Sequence, residues 1–147
     1  MTYHFRYQKI LDVKENEKRK SSKEYEDSVE NFKKVATKLY TFLKQKEEFV
    51  KLQEEKLNKG MSVQEIKQYQ QYVQNLEKTI EHYQQLVIYS RNAMNEKQSI
   101  LMQKHIEVKQ YEKIKEKDYK KFMELRKREE GKMMDEISII TYSFHRN

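Results

Sequence analysis

The 147-residue sequence has no proline, no cysteine, no tryptophan and two glycines. At average usage, a chain of this length would carry roughly ten glycines and seven prolines. Those residues build tight turns, so turns must be few here. Sandwiches, barrels and alternating strand–helix folds need a turn about every 8–12 residues and are thereby excluded. Gly60 and Gly131 lie in opposite halves of the chain, which leaves no glycine-rich phosphate loop, dinucleotide fingerprint or nucleophile elbow. Without cysteine there is no disulfide frame, no thiolate nucleophile and no cysteine zinc site, which fits a reducing compartment. No apolar run approaches the ~18 residues that span a bilayer. The start, Met1-Thr2-Tyr3-His4-Phe5-Arg6, lacks the apolar region of a secretory signal. A soluble cytoplasmic protein is expected.

Charged residues make up 37% of the chain and hydrophobic ones 36%. Such a chain can bury a narrow stripe along long helices rather than wrap a thick core. Lys, Glu and Gln dominate, and all three favour helix at exposed positions. In the second half, apolar residues fall at Ile66, Tyr69, Val73, Leu76, Ile80, Tyr83 and Val87, with alternating steps of three and four. That is the a/d pattern of a coiled coil. It continues through Met94, Leu101, Val108 and Tyr111. Ser90, Lys97 and Lys104 interrupt it, so the seam is expected to weaken away from the middle of the chain. In the first half Tyr7, Leu11, Tyr25, Phe32, Val35, Leu39, Phe42 and Phe49 share one heptad frame. Val29, Ala36, Leu43, Val50 and Leu57 broaden it. Between Leu11 and Tyr25 the seam holds Lys14, Lys18 and Ser21, a stretch expected to fray or to need a partner.

One break is clear. Gly60 can take the left-handed conformation that ends a helix. Ser62 can cap the next helix, with Glu65 reaching back as a capping box. Met61 and Ile66 occupy the positions of a hydrophobic staple. The expected fold is therefore all-α: an antiparallel two-helix coiled-coil hairpin with a tight turn at residues 58–62. It forms one domain with helix 1 over residues 3–58, a turn at 59–62, helix 2 over 63–138 and a flexible tail at 139–147. The first arm would be on the order of 80 Å long. Helix 2 outruns helix 1, and its overhang holds Phe122, Leu125, Met133, Met134, Ile137, Ile139 and Ile140. These residues either cover the N-terminal residues or meet another protein.

Charge is unevenly placed. Residues 104–128 hold ten Lys/Arg against five Asp/Glu, and residues 61–103 hold four of each. The end with the termini is basic and the turn end is neutral, glutamine-rich and aromatic, which suggests two different partners. No two of His4, His82, His105 and His145 have the spacing that puts two imidazoles on one helix face, so no metal site is expected. Carboxylate pairs such as Glu54-Glu55 and Glu129-Glu130 have no pocket to raise a pKa. No enzyme activity, cofactor or small-molecule substrate is expected. A two-helix strut offers grooves and patches, which suit protein partners.

Around the turn the sequence reads Gly60-Met61-Ser62-Val63-Gln64-Glu65-Ile66, followed by Tyr69-Gln70-Gln71-Tyr72-Val73-Gln74-Asn75-Leu76-Glu77-Lys78-Thr79-Ile80-Glu81-His82. With the start at Tyr3-His4-Phe5-Arg6 and Met134-Asp135-Glu136 near the end, the whole chain resembles the FliJ family of flagellar export proteins. The resemblance implies a non-enzymatic, stalk-like coiled coil of the bacterial flagellar type III export apparatus. Its partners would be the hexameric flagellar export ATPase, the cytoplasmic domain of the membrane export-gate protein, and export chaperones. It would be cytoplasmic and peripherally associated with the cell membrane at the flagellar base. Gate contacts would fall on Phe42, Phe49, Tyr72, Leu76, Thr79 and Tyr83. Contacts to the ATPase ring would fall on Phe5, Tyr7, Leu11, Met134, Asp135 and Ile137. Leu76 and Tyr83 also sit in the seam, so burial competes with contact at both.

Tyr72 lies outside the a/d frame and is expected on the flank of the hairpin, where an exposed aromatic can anchor a partner. Gln68, Gln71 and Asn75 lie beside it. Two other functional classes fit the composition: a basic coiled coil associated with nucleic acid, and a generic scaffold whose helices pair between chains. No helix-turn-helix, zinc-finger or RNA-binding signature supports the first, and nucleic acid is not an expected partner. Folding back within one chain leads to the expectation of a monomer, unlike the second.

Overall fold

A computed structural model describes residues 2–146. Two helices, α1 (Gln8–Lys59) and α2 (Val63–Arg146), pack antiparallel, and there is no strand among the described residues. The reversal is local in origin. Gly60 has φ 103°, a conformation that costs an L side chain roughly 1–2 kcal/mol. Its amide donates to the Leu57 carbonyl at 3.1 Å. Lys56 and Lys59 place positive charge in the last turn of α1, where the helix dipole is negative. Ser62 then caps α2. Its Oγ accepts from the Glu65 amide at 3.2 Å, and the Ser62 amide donates to Glu65 Oε2 at 3.4 Å. Met61 and Ile66 line one small recess beside the turn.

The chain forms two compact units, Met1–Arg19 with Gln103–Asn147, and Lys20–Met102. In the second, here the turn unit, Leu76 and Ile80 are the buried apolar residues, and Ser21 and Ser90 are buried with them. The seam does not fade where its residues turn polar. Ser90 is 2% exposed and its hydroxyl donates to the Val87 carbonyl at 3.2 Å, so the small side chain satisfies itself within its own helix. Lys97 reaches across to Glu24 at 3.5 Å, and Lys46 reaches Glu77 at 3.3 Å. A lysine on the seam covers apolar surface with its stem while its ammonium finds an acid at the edge.

The first unit, here the terminal unit, has a core of Phe5, Leu11 and Val108, with Tyr3 and Tyr111 packed against it. Lys14 pairs with Glu107 at 3.3 Å and Lys104 with Glu17 at 3.3 Å. The within-helix contacts Lys14–Glu17 and Lys104–Glu107 close these into a four-charge network. The hydrogen bond from Lys14 holds the Glu107 carboxyl below the usual carboxylate range, and the same bond raises Lys14. The stretch from Lys14 to Ser21, expected to fray, is continuous helix because these cross-helix pairs replace apolar burial.

Both helix limits differ from the sequence expectation. α1 begins at Gln8 rather than near residue 3, because Tyr3 and Phe5 are drawn onto α2. The Tyr3 ring lies 5.2 Å from Tyr119 and 5.3 Å from Phe122, and its hydroxyl donates to Asp118 Oδ2 at 3.0 Å. Burial, reinforced by that bond, raises the Tyr3 pKa. α2 continues through residues 139–146, beyond the expected end at 138. No proline or left-handed glycine stops it, elongation is cheap once a helix is nucleated, and His145 and Arg146 suit its C-terminus. Phe122 covers Tyr3, whereas Leu125 and the apolar residues after it are exposed.

Candidate functional site

In the turn unit, helical spacing across the antiparallel pair gathers five aromatic side chains on its two helices. The Phe49 ring lies 4.3 Å from Tyr72 and 5.5 Å from Tyr69. One heptad further from the turn, Phe42 lies 5.1 Å from Tyr83. Tyr72 remains 47% exposed although its ring leans across to α1. It lines an open recess of about 580 Å³ with Phe49, Tyr69, Gln68, Met61 and Gln53, edged by Lys56 and Glu65. An aromatic wall beside uncharged amides lets a partner bury apolar surface while pairing its polar groups, with little charge to desolvate.

The six residues singled out for this face divide by burial. Phe49 and Tyr72 present the recess. Phe42 and Tyr83 are half-buried against each other. Leu76 is 8% exposed and belongs to the core. Thr79 turns its hydroxyl to the Asn75 carbonyl at 3.1 Å, which leaves its methyl as the surface group. The structure thus joins Phe49 to Tyr72 and Phe42 to Tyr83, and buries Leu76 in the core.

In the terminal unit the six candidates divide the same way. Phe5 and Leu11 are core residues. Tyr7 is part-exposed, edge-on to Phe5 at 5.8 Å, with the Arg6 guanidinium 5.5 Å above its ring. Met134, Asp135 and Ile137 are exposed on α2. Met134 and Ile137, with Met133 and Ile140, leave apolar side chains exposed on α2, and Asp135 is a charged residue among them in sequence. Sequence reasoning missed Tyr3, Asp118 and Tyr119, which clamp the N-terminal segment. The one signal available was Tyr3 itself, placed near residue 118 by antiparallel pairing about Gly60.

Among the described residues no group of three or more His, Asp or Glu side chains could hold a metal ion. Among the same residues no helix is long and apolar enough to cross a membrane.

Comparison with known proteins adds identity to this geometry. The family model described as flagellar FliJ protein matches residues 3–147. The chain is 54% identical over 139 residues to a flagellar FliJ protein of Bacillus subtilis (strain 168), covering 95% of each. No solved structure matches. A full-length family match, together with a relative this similar along almost its whole length, shows that the chain belongs to the flagellar FliJ family.

Proposed function

We propose that the chain is a non-enzymatic component of the flagellar protein export apparatus and makes two separate protein contacts. The C-terminal part of α2 engages the hexameric export ATPase and raises its turnover. The aromatic recess of the turn unit engages the cytoplasmic domain of the export gate. Export chaperones bind the same protein, which works as a monomer at the cytoplasmic face of the membrane. The reading rests on family membership, and one observation carries its two-contact form. Apolar side chains stand uncovered in both units, at Met133, Met134 and Ile137 in one and at Tyr72 in the other. Asymmetry gives the ATPase contact its mechanism. A two-helix body cannot match six equivalent subunits at once, so it favours one subunit interface over the others.

The test uses purified ATPase and gate domain with surface variants that leave both cores alone. Met134→Ser with Ile137→Ser should lower ATPase stimulation and leave capture of the gate domain intact. Tyr72→Ala should do the reverse. Loss of both activities in either variant, or of neither, would overturn the two-contact form. Sedimentation equilibrium should give a monomer.

A further inference from the structure

On the flank of the turn unit, next to Tyr83, a shallow groove of about 690 Å³ runs between the helices. Val35, Tyr83 and Leu86 form its floor, and all three are half-buried. Lys33, Lys34 and Lys38 stand along its rim. Glu30 is the one acid lining the groove, 3.9 Å from Lys34. Among the described residues neither Lys33 nor Lys38 has an acidic partner, and the Lys38 ammonium lies 5.9 Å from the centre of the Tyr83 ring. We propose that this groove is a docking site for an acidic amphipathic helix of another protein.

Two observations select that occupant. The floor is apolar and half-covered, which is the state of a two-helix seam that a third helix would complete. The rim carries lysines in excess of acid, so a segment with apolar residues on one face and carboxylates beside them meets both features. A basic helix would set like charges side by side. The groove shares no lining residue with the Tyr72 recess, although its floor includes Tyr83 of the candidate gate contacts, and it does not depend on which partner that recess takes.

The test is fluorescence anisotropy with the full chain and three labelled helical peptides. One carries leucines at i, i+3, i+4 and i+7 flanked by glutamates. The second replaces each glutamate by lysine, and the third replaces each leucine by serine. The acidic amphipathic peptide should bind, less tightly as salt rises, and the other two should not. Lys33→Gln with Lys38→Gln should weaken its binding about tenfold at unchanged helix content. Leu86→Ala should weaken it also, and Tyr72→Ala should leave it unchanged. Equal binding of the acidic and basic peptides would show mere apolar adhesion. Equal binding of the leucine and serine peptides would show charge attraction alone. Either result, an unaffected Lys33/Lys38 variant, or no binding at all would overturn the proposal.

Discussion

Leu11 separates two accounts of the terminal unit. The side chain is 3% exposed and packs with Phe5 and Val108 in a core of three buried residues. Truncating a buried leucine to alanine removes its transfer free energy and leaves a cavity, at a cost of 2–5 kcal/mol in well-packed interiors. A two-helix seam can relax inward, so the low end applies: about 2–3 kcal/mol for Leu11→Ala. For a chain of this size that lowers the thermal midpoint by roughly 4–12 °C. Leu125→Ala makes the same chemical change at a residue that is 58% exposed, and it should stay within about 0.5 kcal/mol of wild type. Thermal unfolding followed by far-ultraviolet circular dichroism measures both. A Leu11→Ala variant that melts like wild type but fails to stimulate the ATPase would refute the packing argument. Leu11 would then be a contact residue rather than a support for contacts made elsewhere.

Gly60→Ala and Gly131→Ala should have opposite signs. Beyond the adjoining backbone, no heavy atom lies within 4 Å of a Cβ built at either position, so backbone preference alone decides. Alanine at φ 103° should destabilise by about 1–2 kcal/mol, while alanine within α2 should stabilise its C-terminal stretch by roughly 0.5–1 kcal/mol. Chemical denaturation measures the first, and amide exchange across residues 125–140 the second. Glu107 makes the terminal unit acid-sensitive. Its folded pKa lies below the ordinary value of 4.5, so its stabilisation is fully present above that value and fades as pH falls through the folded pKa. The midpoint should drop as solutions are acidified below pH 4.5, and Glu107→Gln should lose less over the same range. Identical acid profiles would show that the Lys14–Glu107 pair contributes nothing.

The turn was legible because its causes are local. Gly60, Ser62 and Glu65 act on backbone groups within a few residues, so spacing alone specifies them. The seam was legible where hydrophobic periodicity marks it. It was misjudged at Lys97, Lys104 and the stretch after Leu11, because a lysine counts as polar in a periodicity yet packs its stem and pairs its ammonium across the seam. Those pairings with Glu24, Glu17 and Glu107 depend on antiparallel register, which no window along one helix reveals. The helix limits erred for tertiary and propensity reasons. Contacts of Tyr3 with Tyr119 and Phe122 draw the first residues out of helix, and β-branched residues after Ile137 lower helix propensity too little to end α2. Of the candidate surfaces, Tyr72 was visible as an aromatic out of frame. The burial of Leu76, Phe5 and Leu11 shows seam positions serving as core.

The fold-back of one chain on itself is tested most directly by zero-length carbodiimide coupling of an equimolar mixture of unlabelled and nitrogen-15-labelled protein. Lys46–Glu77, Lys97–Glu24 and Lys104–Glu17 stand 3.3, 3.5 and 3.3 Å apart, close enough to join without a spacer. Mass spectrometry should find all three cross-links, each between peptides of the same isotope. Absence of these pairs, or cross-links joining light to heavy peptides as often as light to light, would contradict the intramolecular hairpin.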